Sequence, residues 1–202
     1  MLFPRAFPIT FRSLRSRGKV ARAMKGLTMP RASAASRIGL PAKLVRPGVS
    51  GAIRRERLFG FLEAAEAAQI VWIRAQAGAG KTLLAAGFIE ARRLPSLWYQ
   101  LDAGDADPGT FFYYAGLAAG HLSSRRGRLP LLTAEYRRDP VGFARIFARA
   151  MFARLPPETV LVLEDFHELP AASATIGLLP VLLEQTPPTV RVLITSRVSP
   201  PQ

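Results

Sequence analysis

The chain of 202 residues contains no cysteine. That excludes a disulfide scaffold, a thiolate metal site and a cysteine nucleophile. Histidine is nearly absent too: His121 and His167 are the only two, so a multi-histidine metal centre is excluded. Acid is scarce, with 14 Asp and Glu against 28 Lys and Arg, for a formal net charge of +14. The uncharged apolar stretches fall short of the ~20 residues that cross a bilayer. Pro108–Ser124, for example, is interrupted by Gly116, Gly120 and His121. No internal repeat is visible. What is present is 49% hydrophobic and 21% charged, which supplies a core and argues against wholesale disorder. The length suits one domain.

The positive charge is unevenly placed. Residues 1–47 hold eleven basic residues and no acid, while residues 48–120 hold seven of each sign. Residues 121–154 hold eight Arg against Glu135 and Asp139. Residues 155–202 hold two Arg against five acids. Residues 1–42 read as a basic, mostly disordered leader, punctuated by Pro4, Pro8, Pro30 and Pro41 and lacking a sustained apolar face. A secretory signal is excluded, because no continuous apolar stretch follows the basic start. A solvated tail, sequence upstream of the true start, a transit peptide and a nucleic-acid contact remain as alternatives.

From residue 43 onward the composition is globular. The periodicity predicts helices over 57–68, 81–92, 110–122, 141–155 and 172–184, the last with Pro180 as a break or kink. Short apolar runs at 70–73, 97–101, 160–163 and 190–195 read as buried strands. Strands alternating with helices imply an α/β domain with a mostly parallel sheet, over 43–202.

One stretch identifies the chemistry. Ala75-Gln76-Ala77-Gly78-Ala79-Gly80-Lys81-Thr82 follows a predicted strand and opens a predicted helix. It fits the phosphate-loop pattern with Ala75 in place of the first Gly. Small residues let the backbone curl until successive N–H groups point at phosphate oxygens. Lys81 brings a point charge to the β- and γ-phosphates, and the Thr82 hydroxyl can ligate Mg²⁺. The helix that follows adds its positive dipole end. A chance small-residue loop is the alternative, and the strand–loop–helix context argues against it.

Far downstream, Thr159–Leu163 is an apolar strand that ends in Glu164 and Asp165. In a phosphate-loop fold an acid here reaches Mg²⁺, and its neighbour can orient the attacking water. Alone, the pair would read as solvated charge at a strand end. Beside a phosphate loop it reads as the second half of one site. Glu164 stands where Asp is more usual; its extra methylene shifts the metal or admits a water, which affects turnover more than binding.

Taken in order, these stretches resemble the nucleotide-binding domain of MalT-type signal-transduction ATPases, the STAND class, many of which are LuxR-type transcriptional regulators. Lys43–Pro47 resembles the family's lead-in, and Arg55-Glu56-Arg57-Leu58 the segment flanking its adenine pocket. Trp98-Tyr99-Gln100-Leu101-Asp102, with Asp105, Asp107, Pro108 and Phe111, resembles the strand and acidic turn that follow the phosphate loop. Leu163–His167 resembles the Walker B segment, and Leu193–Arg197 the sensor strand.

The resemblance covers about residues 43–199. It implies a P-loop NTPase-like three-layer sandwich of the ASCE or AAA-like kind, with ATP or ADP and Mg²⁺ as ligands and a cytoplasmic location. It assigns cofactor contacts to residues 75–82 and to Arg57. Thr82 and Glu164 take Mg²⁺, Asp165 activates water, and Arg197 senses the γ-phosphate. Asp102 and Asp105 read as turn-shaping or capping residues, and His167 as a packing residue.

The family's fifth strand, beside the phosphate-loop strand, has no counterpart before Gln202. The phosphate-loop strand is therefore expected at an open edge, with modest stability and a need for other chains or self-association. Deleting residues 1–42 is expected to leave the unfolding midpoint nearly unchanged. No helix-turn-helix pattern is present, so DNA would be reached only through the family's missing C-terminal domains. Three readings follow. One is a nucleotide-dependent switch with slow or absent hydrolysis. Another is a truncated, non-hydrolysing binding module. The third is a basic nucleic-acid-binding protein using the leader and Arg125, Arg126, Arg128, Arg137 and Arg138, a set that also reads as a solvated loop.

Overall fold

A computed structural model describes residues 7–10, 39–65, 68–123 and 127–201. Its strands are β1 (Phe7–Thr10), β2 (Ile70–Arg74), β3 (Ser96–Gln100), β4 (Thr159–Glu164) and β5 (Val190–Ser196). Its helices are α1 (Glu56–Ala64), α2 (Lys81–Arg92), α3 (Pro108–Leu122), α4 (Pro140–Phe152) and α5 (Ala174–Leu183). The strands form one sheet in the order β1-β2-β5-β4-β3, and every pairing is parallel.

The apolar runs are continuous because the sheet is covered on both faces. Ile70, Trp72, Leu97, Tyr99, Leu161, Leu163, Val192 and Ile194 face the layer that contains α3, α4 and α5. Val71, Ile73, Trp98, Val160, Val162 and Leu193 face α1 and α2. The result is the expected three-layer sandwich. No helix among the described residues is long and apolar enough to cross a membrane.

The helix starts follow one device used twice. Asp107 accepts the Thr110 N–H at 2.8 Å ahead of Pro108, and Asp139 accepts the Gly142 N–H at 2.8 Å ahead of Pro140. In each case proline occupies a position whose N–H has no helical partner, while the aspartate satisfies a later one. Pro180 does not break α5 as the periodicity suggests. It is buried along with Leu178, Leu179 and Val181–Leu183, and that packing outweighs the lost backbone bond.

The edge of the sheet corrects two expectations. Phe7–Thr10 pairs with Val71–Arg74 in parallel register, so the phosphate-loop strand is not at an open edge. That strand lies inside the segment read as a disordered leader. The rest of that reading falls on residues 1–6 and 11–38, which lie outside the described residues. A four-residue, proline-containing edge strand carries too little pattern to stand out in an arginine-rich segment.

The lead-in is pinned by a buried ion pair. Lys43 Nζ lies 2.8 Å from Asp105 Oδ2 and 2.6 Å from Asp102 Oδ2, over the Tyr99 and Tyr114 rings. Asp105 is fully buried and also accepts the Tyr99 hydroxyl at 2.7 Å and the Asp102 N–H at 2.9 Å. Asp102 in turn accepts the Gly104 N–H, so both acids shape the turn as their spacing implied. Burial works against the Lys43 charge, but the two carboxylates outweigh it and its pKa is raised. The Lys43 bond holds Asp102 below the usual carboxylate range.

Two outcomes follow. Deleting residues 1–10 uncovers the β2 edge, so thermal unfolding should move down by several degrees and light scattering should rise. Lys43→Ala leaves Asp105 buried without its cation and should cost about 3 kcal/mol by urea unfolding at neutral pH. Asp102 contributes above its ordinary pKa and loses that contribution as pH falls through its lowered one. The difference between the two proteins should therefore narrow in acid.

Candidate functional site

The C-terminal ends of β2, β4 and β5 converge because the strands are parallel and adjacent. Beyond β2 the chain turns through Ala75–Gly80 into α2. Gly78 and Gly80 have φ of 73° and 77°, a conformation that side chains resist. Those two glycines direct the loop backbone around the start of α2. Ala75 donates its N–H to Ser196 O at 3.2 Å, which ties the loop to β5. Ala75 thus serves the turn with no need of glycine there. Gln76, Ala77 and Gly78 are exposed, and Ala79 is half-buried. Lys81 is 7% exposed and folds back to donate to Ala75 O at 3.1 Å and Gln76 O at 3.2 Å.

The acids meet this loop directly. Thr82 Oγ1 donates to Glu164 Oε1, and Trp98 Nε1 donates to Glu164 Oε2 at 3.0 Å. Glu164 is only 3% exposed. Burial raises its pKa, against the opposing pull of the Thr82 and Trp98 bonds. Asp165 follows in a left-handed conformation, φ 55°, which turns the chain sharply out of β4. Its N–H reaches Thr195 Oγ1 at 3.1 Å, and its Oδ2 accepts from Gln100 Nε2 at 3.3 Å.

Arg197 is exposed just past β5. His167 is half-buried beside this group, and its Nε2 lies 3.2 Å from Glu168 Oε1. Its pKa is lowered, first by burial and then by the Arg197 charge. Lys81, Thr82, Glu164, Asp165 and Arg197 thus belong to one end of the sheet, as their sequence order implied.

Arg57 is the exception. It is exposed on α1 and does not line the cavity beside the loop. That cavity, about 590 Å³, runs between Val49–Arg55 and the α2 residues Leu83, Leu84, Gly87 and Ala91. Arg55 lines it instead. Arg55 donates from Nη1 to Ala79 O at 2.9 Å, and its guanidinium lies so close that a Cβ on Gly80 would sit 2.9 Å from Nη2. Of the Arg55–Leu58 segment, Arg55 lines the cavity and Arg57 does not. Two basic residues two positions apart are told apart only by where α1 begins.

Sequence reasoning also missed Trp98 as a partner of the acid. A lone tryptophan in an apolar strand reads as core. Of the arginine-rich set, Arg125 and Arg126 lie outside the described residues, while Arg128, Arg137 and Arg138 are exposed. Nearby Arg154 is occupied with the backbone, donating to Gly127 O at 2.7 Å and Arg128 O at 3.1 Å.

Because burial disfavours the Glu164 charge, Glu164→Gln should raise the unfolding midpoint of the ligand-free chain at pH 7. With a raised pKa, the carboxyl stabilises the fold most when protonated and loses that contribution as pH rises. The gain should therefore vanish near pH 4, which paired thermal melts would check.

No protein-family model matches the chain. Curated proteins do. The HTH-type transcriptional regulator MalT of Vibrio cholerae is 30% identical over 167 residues, which is 80% of this chain and 18% of that protein. MalT of Vibrio campbellii gives the same identity and coverage. MalT of Cronobacter sakazakii is 30% identical over 136 residues, 63% of this chain and 14% of its own length. The chain thus spans less than a fifth of the length of the regulators it matches. Over that shared portion the chain is a MalT-type relative.

Proposed function

We propose that the chain binds ATP with Mg²⁺ and acts as a nucleotide-dependent switch in transcriptional regulation, with slow or absent hydrolysis. The observation that carries this reading is the Thr82–Glu164 hydrogen bond. It joins the first turn of the phosphate-loop helix to the acid at the end of β4. Two hard oxygen donors side by side suit Mg²⁺, which takes few protein ligands and completes its shell with phosphate and water. Among the described residues no cluster of three or more His, Cys, Asp or Glu could hold a metal alone, which fits a metal that arrives with its nucleotide.

The residues divide the work. Lys81 exchanges its two loop carbonyls for phosphate oxygens, and the N–H groups of Gly78–Lys81 cradle the anion. Thr82 and Glu164, now bonded to one another, would hold the metal. Mg²⁺ supplies charge neutralisation at the phosphates. Asp165 is the residue to orient a water, and Arg197 to meet the γ-phosphate. The cavity beside Arg55 has the size for a base, with Val49, Ile53, Phe59 and Leu84 as its apolar part.

The switch reading follows from the same bond. A ligand that separates Thr82 from Glu164 changes how α2 is joined to β4, and so biases the domain between two arrangements. DNA contact would belong to other portions of the longer regulators.

Binding of a fluorescent ATP analogue, with Mg²⁺ or with EDTA, tests the reading. The unaltered chain should bind more tightly with Mg²⁺, and Lys81→Ala should weaken binding roughly tenfold or more. Negligible binding by both proteins would overturn it. Arg55→Ala should weaken the analogue several-fold while Arg57→Ala leaves it unchanged, which checks the placement of the base.

A further inference from the structure

We infer that Trp98 is a positioning residue for the metal-side acid: its indole N–H holds one oxygen of Glu164 so that only the other must leave Thr82. The inference rests on the nucleotide reading above and adds to it a residue from a different strand. Trp98 lies on β3, paired in register with Val162, while Gln100 pairs with Glu164. The indole therefore leans along its strand by one pleat to reach Oε2 at 3.0 Å.

The bond is made in a dry place. Trp98 and Glu164 are each 3% exposed, and Trp98 packs with Val160, Val162 and Leu84 under α2. A buried carboxylate oxygen lacking a donor is costly, so the indole has a chemical task besides filling space. Trp72, the other tryptophan, spends its N–H on Val198 O at 3.0 Å. Only Trp98 is aimed at an acid.

The carboxylate thus has two unlike ends. Oε1 faces Thr82 on the phosphate-loop helix, and Oε2 faces a rigid donor on the sheet. When Thr82 turns to a metal, Glu164 stays anchored and its Oε1 is already aimed. A glutamate has one more rotatable bond than an aspartate, so it has more orientational freedom to lose at this position. The indole removes that freedom in advance, which is preorganisation in the ordinary sense. Gln100, on the same face of β3, makes a 3.3 Å bond to Asp165 in an exposed place and serves as the comparison.

The test uses the full chain and the fluorescent ATP analogue, with Mg²⁺ in excess or with EDTA. The ratio of the two dissociation constants is the magnesium coupling. Trp98→Phe keeps an aromatic ring and removes the N–H. It should lower the coupling about threefold or more, leave the EDTA affinity unchanged, and have no further effect in a Glu164→Gln background. Gln100→Ala should leave the coupling intact. Equal weakening in Mg²⁺ and EDTA, or the same loss in the Glu164→Gln background, would overturn the inference and leave the nucleotide reading standing. Absence of any coupling in the unaltered chain would overturn both.

A second measurement is independent of how Trp98→Phe folds. In the ¹⁵N-labelled chain, the Trp98 indole N–H signal should move on Glu164→Gln while the Trp72 signal stays. An unmoved Trp98 signal would contradict the bond itself.

Discussion

The buried Glu164 carboxylate joins three separate elements of the site. It accepts from Thr82 at the start of α2 and from Trp98 on β3, and it ends β4. A carboxylate in that position is unfavourable by burial alone, and its pKa is raised accordingly. The fold tolerates it because two donors reach it, Trp98 from the neighbouring strand and Thr82 from the start of α2. Without that pair, the phosphate loop and the acidic strand would be neighbours without a shared chemistry.

The neighbouring residues build on the same join. Lys81 folds onto the loop one residue before Thr82, and Asp165 turns out of β4 one residue after Glu164. Arg55 closes the other side by gripping Ala79 and sitting over Gly80. Lys81, Thr82, Glu164, Asp165 and the cavity beside Arg55 therefore lie around one loop. The MalT-type relationship covers less than a fifth of the length of those proteins. Most of the excess positive charge precedes residue 48.

Much of this was legible in the sequence, for identifiable reasons. Strands buried on both faces read as short unbroken apolar runs, and β2–β5 stand close to where those runs fall. The loop after β2 is legible because its tight backbone needs small residues, and Gly78 and Gly80 supply its positive φ. The helices expected from 110 and 141 begin at Pro108 and Pro140, where Asp107 and Asp139 cap them locally. What was not legible depends on tertiary placement. The β1 strand gains its identity only from the edge it pairs with. Arg55 and Arg57 differ only in their position relative to the first turn of α1, and Trp98 is set apart by a carboxylate on the neighbouring strand.

The central claim is that the loop after β2 and the acids after β4 respond to one ligand together. Amide hydrogen exchange on the full chain, with and without ATP and Mg²⁺, measures that directly. Exchange should slow jointly at residues 78–84 and 164–167, with residues 140–152 of α4 unaffected. Slowing at the loop alone, or at neither segment, would contradict the account.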